Sequence, residues 1–467
     1  MRVLFLYPNV SRYPAIPIGV GSLIAALQGK GHEWTLFDAT FYDDDELMRT
    51  FIDYVRISSC EMLAIHCTSC DWRLVQILLA GLQEGYPENT IIKVIGGPHP
   101  TSAPDEVIDS GLVDVVTIGE GEETINELVE RVAGGRDISL VENCWIKTNG
   151  RINKNRLRPL IDDLDSLPIP AWEIFDDRHV RGVEEDPKGD SQRIVGIETS
   201  RGCPYSCTYC VNSHLRTIYK DVKGKFCREK SANRVIAESR SAKERVRADF
   251  IKFVDDNFMG PDKRLVELSK RFPVEVGLPL HLQVSADKVN RRTIRLMAEM
   301  GVVRLGIGVE TGNEIYRKKI LTKFITNEQI VEAFRLAREY GIATKAYYMI
   351  GLPFDRREYI EQTIEFNELA KPDITFVSTY FPFPGTILGR AVLEKNLVEH
   401  YEYLPDFYRE SILKFDDLAA EDLQDLRRRF ANVTLNTGPF ERRDLERLTG
   451  DNYSKTKPRK SDRAYQR

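Results

Sequence analysis

Nowhere do the 467 residues approach the roughly 20 consecutive apolar residues that a membrane helix requires, so no membrane span is expected. Met1-Arg2-Val3-Leu4-Phe5-Leu6 reaches Pro8 too soon for a signal peptide, which points to a cytoplasmic protein. A surplus of either charge is missing too. The formal charge of -5 is too small for a nucleic-acid-binding field or a funnel for acidic substrates. The one biased stretch, Lys455 to Arg467, reads as a solvated terminus. Cysteines number eight, few for a disulfide framework in so long a chain. Three of them crowd together, which points to metal ligation in a reducing compartment.

What is present is an ordinary globular composition, 42% hydrophobic and 29% charged, in a chain long enough for two or three domains. Short apolar runs at Val3 to Tyr7, Trp34 to Phe37, Met62 to Cys67, Ile91 to Ile95 and Val113 to Ile118 alternate with helical patterns. An α/β fold follows, with residues 1–140 forming a doubly wound (flavodoxin-like or Rossmann-like) parallel sheet. Val20, Leu23, Ile24 and Leu27 make one apolar stripe of its first helix, which Gly29 and Gly31 stop. Ligands of such sheets lie outside the strands' carboxyl ends, here the loops from Pro8, Cys67, Gly96 and Gly119.

Residues 141–190, rich in Asp and Pro, read as a linker with a short hairpin at most. A second alternation has strands at Ile194 to Glu198, Phe250 to Val254, Leu282 to Ser285, Val303 to Val309, Thr344 to Ile350 and Ile374 to Tyr380. Six βα units joined by right-handed crossovers curl into a partial (β/α)6 TIM-type barrel over 191–390. A small, mainly helical region is expected at 391–467.

Cys203-Pro204-Tyr205-Ser206-Cys207-Thr208-Tyr209-Cys210 follows the first barrel strand, where barrel chemistry happens. Three soft thiolates suit an iron-sulfur cluster, and three ligands for four irons leave one iron open to a small molecule. Zinc is the alternative, with Cys227 or His214 supplying its fourth ligand. The spacing resembles the signature of the radical S-adenosylmethionine superfamily. That resemblance implies a [4Fe-4S] cluster on Cys203, Cys207 and Cys210, whose open iron chelates S-adenosylmethionine and cleaves it to a 5'-deoxyadenosyl radical. It also implies S-adenosylmethionine contacts from Tyr209, Asp256, Ser285, Glu310, Ile350 and Gly351, in loops after successive strands. Taken singly, a carboxylate or glycine at a strand end is as often a cap or turn residue.

Ile95-Gly96-Gly97-Pro98-His99-Pro100-Thr101 and the run from Val113 to Glu122 resemble the cobalamin-binding domain fused to one branch of these enzymes. The resemblance implies cobalamin contacts from Thr68, Ser69, Gly96, Gly97, Pro98, His99, Gly119, Glu120 and Gly121. Cobalamin domains that ligate cobalt through histidine carry Asp-x-His-x-x-Gly after the first strand, whereas here Pro8-Asn9-Val10-Ser11-Arg12-Tyr13-Pro14 stands. The implied lower face of the cobalt is covered by Arg12, Tyr13 or water, and a domain that has lost cobalamin stays open. His66, His99, Cys67 and Cys70 otherwise read as packing groups.

The leading expectation is a cobalamin-dependent radical methyltransferase acting on carbon or phosphorus in a small molecule. Cyclisation, ring rearrangement or oxidation with the same cofactors, a methylthiotransferase, and a non-catalytic cobalamin or iron-sulfur carrier are the alternatives. A flavodoxin or ferredoxin electron donor is implied. Tyr380, Phe381, Phe383, Tyr401, Tyr403, Phe407 and Tyr408 suit either an apolar substrate wall or core packing.

Overall fold

The computed structural model describes residues 1–148, 150–181, 192–258, 262–398, 401 and 411–435. β1 (Arg2–Tyr7) is buried on both faces, as its unbroken Val-Leu-Phe-Leu run requires of a central parallel strand. It pairs in parallel with β2 (Glu33–Asp38) and β3 (Met62–His66), and β4 (Ile92–Gly96) and β5 (Val115–Thr117) follow, in the order β2-β1-β3-β4-β5. Val3 and Phe5 pack with Val20 and Ile24 of helix Ile18–Leu27 and Leu128 of helix Glu122–Ala133. Leu4 and Leu6 face Phe51, Val75 and Leu79 on the other side. The order switches direction between β1 and β3, and a crevice opens at their carboxyl ends.

One sequence expectation shifts. Within the stretch read as a linker, β6 (Cys144–Thr148) and β7 (Arg151–Lys154) form an antiparallel hairpin that pairs onto β5, Thr117 opposite Cys144, and extends the first sheet to seven strands. The hairpin covers an edge that β5, only three residues long, would otherwise expose. The rest of the stretch is pinned down as well. Ala171 N–H donates to Gly21 O at 3.2 Å, and His179 Nε2 lies 2.5 Å from Asp38 Oδ2 with its side chain fully buried.

β8 (Ile194–Ile197) begins the second sheet. The short antiparallel pair β9 (Ser200–Arg201) and β10 (Arg228–Glu229) stands beside it. β11 (Phe250–Phe253), β12 (Leu280–Gln283), β13 (Val302–Glu310), β14 (Ala343–Ile350) and β15 (Ile374–Thr379) then add in sequence order, all parallel. Helices between them cover the outside, and Phe253, Leu282, Ile307, Ala346 and Phe334 share one core.

Helix Ile387–Glu394 and helix Ala420–Leu435 are the described parts of the last region, and residues 436–467, including the basic tail, lie outside the described residues. The final helix joins the barrel core through Leu423, Leu426 and Phe430, whose ring sits 5.6 Å from that of Tyr348. Of the aromatics flagged in the sequence, Tyr380 and Phe381 are buried and Tyr401 Oη donates to Pro382 O at 2.7 Å, as packing groups do. Tyr403, Phe407 and Tyr408 lie outside the described residues. Among the described residues no helix is long and apolar enough to cross a membrane.

Candidate functional site

The loop from Gly202 to Cys210 leaves the carboxyl end of the first barrel strand, and nearly every non-cysteine group in it is tied down. Arg216 of helix Val211–Ile218 donates to Cys203 O, and Tyr205 Oη donates to both Asp287 oxygens at 2.8 Å. Thr322 Oγ1 donates to Ser206 O at 2.7 Å, while Thr208 reaches Ile320 O through its hydroxyl and Leu321 O through its amide. Gly202 adopts φ +83°, and a Cβ there would stand 2.4 Å from Phe226 O, so the turn into Cys203 needs glycine.

The thiols have only weak ties: Asn212 Nδ2 stands 3.8 Å from Cys210 Sγ, and backbone N–H groups of the loop approach the sulfurs. Burial pushes all three thiols up, Cys210 to about 11, as expected of thiols awaiting a metal charge. Three thiols on one loop can give one ligand to each of three irons, so the donor set fits a four-iron cluster with one iron left for a small molecule. His214 packs its ring on Gly385, where a Cβ would meet Nε2 at 2.3 Å, and both of its ring nitrogens are buried.

The residues expected to hold S-adenosylmethionine gather around this loop. Glu310 ends β13 at φ +68° and accepts from Lys323 Nζ at 2.7 Å, and Tyr209 lies half-buried beside it. The charges of both Glu310 and Lys323 act on Cys207, so this ion pair borders the cluster site. Ser285 N–H donates to Asn257 Oδ1 at 2.8 Å, and Gly351 N–H to Asp355 Oδ2 at 3.1 Å. Ile350 is buried in the barrel core, leaving its backbone as the part that can reach a ligand. Lys323 escaped the sequence reading because it lies 13 residues past its partner on an irregular segment with no motif around it.

A cavity of about 490 Å³ lies between the two sheets' carboxyl ends. Phe5, Val20, Leu23, Val94, Ile125 and Leu128 make an apolar inner wall, and Gly96, Gly97, Pro98, Gly119, Glu120 and Gly121 make the rim. Asp256, Asn212, Arg201 and Gly202 close it from the barrel side. Gly97, at φ +114°, admits no side chain, because a Cβ would stand 2.8 Å from Cys67 O. A flat macrocycle with an aromatic appendage fits such a bare rim and greasy interior, so the residues present suit cobalamin.

Several expected cobalamin contacts are placed elsewhere. His99 is fully buried, with Nδ1 3.3 Å from Ser69 Oγ and its ring 5.3 Å from Trp72, so both residues face the interior of the first domain and not the cavity. Burial lowers its imidazole to about 4. Arg12, Tyr13 and Thr68 are absent from the cavity lining. Asp71 binds their two loops together, accepting from Val10 N at 2.8 Å and from Thr68 Oγ1 at 2.6 Å. His66, read as a packing group, does line the cavity.

Glu120, part of the cavity rim, also does something its sequence position did not announce. Its carboxylate accepts from Arg201 Nη1 at 2.9 Å, Arg228 Nη1 at 3.0 Å and Ile161 N at 3.0 Å, while Arg201 also binds Glu122 and Glu198. This acidic loop of the first domain therefore clamps onto the barrel two residues before the first cysteine of the cluster loop.

An open α/β barrel with three cysteine thiols on the loop at its mouth, facing a second sheet across a shared cavity, defines an enzyme that brings two bound cofactors together. Residues 197–366 match the family model for the radical SAM superfamily and residues 8–129 that for the B12 binding domain. The chain therefore carries a radical SAM domain and a B12-binding domain, whose cofactors are a [4Fe-4S] cluster, S-adenosylmethionine and cobalamin. It is 28% identical over 354 residues to an uncharacterized methyltransferase of Pyrococcus horikoshii, 75% of this chain and 73% of that protein. An anaerobic magnesium-protoporphyrin IX monomethyl ester cyclase of Rubrivivax gelatinosus is 24% identical, with 96% of this chain and 80% of that protein covered. The fold is similar to that of the cobalamin-dependent S-adenosylmethionine radical enzyme OxsB, with a TM-score of 0.71 at 17% identity over 95% of this chain and 70% of that one.

Proposed function

We propose that this protein methylates an unactivated carbon, or a phosphorus centre, of a small molecule. The observation that carries the reading is the single cavity walled on one side by the glycine rim of the first sheet and on the other by Asp256 and the residues flanking the cluster loop. When bound, the cluster with S-adenosylmethionine supplies a hydrogen-abstracting radical, and the corrinoid supplies a methyl group.

The chain's own work is holding, orienting and excluding water. Cys203, Cys207 and Cys210 hold the cluster; Arg216, Tyr205 and Thr322 fix the loop that presents them. Tyr209, Asp256, Ser285, Glu310 and the backbone of Ile350 and Gly351 bind the sulfonium cosubstrate. Lys323, paired with Glu310 at 2.7 Å and beside Cys207, is well placed to meet its carboxylate. Gly96, Gly97, Pro98, Gly119 and Gly121 receive the corrinoid, with Arg12, Tyr13 and Thr68 at the outer margin, and Glu120 acts by clamping the halves together. The apolar wall keeps water from a reactive intermediate. Electrons come from a separate one-electron carrier, a flavodoxin or ferredoxin.

The cyclase relative favours a second reading, radical cyclisation without methyl transfer. Anaerobically reconstituted protein, given reductant and a small-molecule extract as substrate source, is expected to form 5'-deoxyadenosine and S-adenosylhomocysteine together. Substrate-dependent 5'-deoxyadenosine alone, with a product of no added methyl mass, would refute methylation and favour cyclisation.

A further inference from the structure

Helix Val211–Ile218 starts directly after Cys210 and ends at Tyr219, whose ring crosses into the first domain. A Cβ placed on Gly119, which sits at φ +78°, would stand 1.5 Å from Tyr219 Oη and 2.8 Å from its Cζ. Gly119 is itself fixed, its N–H donating to Thr101 Oγ1 at 3.0 Å. Tyr219 lines the same cavity as Gly96, Gly97 and Gly121, and is only 8% exposed. Its hydroxyl is buried and its proton has no acceptor, the backbone N–H of Glu120 beside it being a donor. Burial, then the charge of Glu120, pushes the phenol up to about 12, so the group stays protonated and able to donate.

Neighbouring acceptors are already committed. The Glu120 carboxylate is taken by Arg201, Arg228 and Ile161 N, and the Gly119 N–H is itself a donor, to Thr101 Oγ1. A buried donor without an acceptor is rare in a folded protein and is expensive to leave unmade. We infer that Tyr219, a residue of the barrel half, donates a hydrogen bond to a peripheral oxygen, amide or phosphate, of the corrinoid that the first sheet holds. The inference rests on the cobalamin reading above and assigns that site a contact from the other half. One two-turn helix, about 12 Å long, then touches the cluster at its start and the corrinoid at its end, and so gauges the distance between them.

The test is an optical titration of full-length Tyr219→Phe with hydroxocobalamin, without iron or S-adenosylmethionine, beside thermal unfolding of the unloaded protein. Affinity is expected to fall about five- to tenfold, the worth of one hydrogen bond, while the unloaded protein melts no lower than wild type because an unpaired buried hydroxyl has gone. Unchanged affinity, or tighter binding because the ring merely plugged the cavity, would overturn the role of Tyr219. Failure of wild type to bind the corrinoid would instead overturn the cobalamin reading and this inference with it.

Discussion

Replacing Glu120 by Ala tests the clamp between the halves. The substitution leaves Arg201 with Glu122 and Glu198, but strips Arg228, whose side chain is 6% exposed, to the carbonyl of Ile161. Removing one partner of a buried pair costs about 3–5 kcal/mol, and because Arg201 keeps two carboxylates the loss falls mainly on Arg228, at the low end, about 3 kcal/mol. For a cooperative unit of about 200 residues that lowers Tm by roughly 6–12 °C. The effect has a pH signature. Burial alone would raise the Glu120 carboxyl, but Arg228 and Arg201 outweigh it and the folded pKa lies below its ordinary value. Such a group contributes stability that is fully present above the unfolded pKa of about 4.3 and is lost as pH falls through the folded value. Thermal unfolding followed by near-ultraviolet circular dichroism should show the full gap between wild type and variant at pH 7 and a smaller one near pH 3.5. A Tm within 2 °C of wild type at pH 7, or a gap that does not shrink in acid, would refute a desolvated clamp.

Asp355 should show the opposite slope: burial lifts its carboxyl to about 7 from 3.8, so its stabilising contribution is complete in acid and lost as pH rises through 7, about 4 kcal/mol in all. Asp355→Asn should therefore lose less stability than wild type between pH 5 and pH 8 in urea titrations; parallel slopes would count against the buried acid. Replacing Cys203, Cys207 and Cys210 together by Ala should take the iron content of reconstituted protein from about four per chain to near zero while corrinoid absorption persists, and iron retained at wild-type level would place the cluster elsewhere.

The strands were legible because a parallel strand buried on both faces must be apolar throughout, and each of the eleven parallel runs read from sequence is a strand within a few residues. The cysteine loop was legible because three ligands for one cluster lie within eight residues. The clamp was not. Glu120 and Arg201 are 81 residues apart, and Glu120 read as a cofactor contact because it sits beside a glycine rim that does line the cavity. A short hairpin was expected in the linker, but polar residues on an edge strand gave no sign that Cys144–Lys154 would join the first sheet, and His99 turns inward toward Trp72, as its reading as a packing group has it. Spacing reveals a site built from one segment; it is silent on contacts made across the chain.

The pairing of His179 with Asp38, together with the seat of Ala171 on Gly21, bears on how this protein can be divided. A fragment cut at residue 140 would strand a carboxylate without its imidazole and bare the surface of helix Ile18–Leu27 that Ala171 and Phe175 cover. The smallest piece with a finished corrinoid-side domain runs to about residue 181. Because Trp172 in that same segment belongs to the barrel core, even this cut would leave one indole with nowhere to go. The described part of the connection, up to residue 181, thus packs onto both halves at once, so each half is completed by residues that lead into the other.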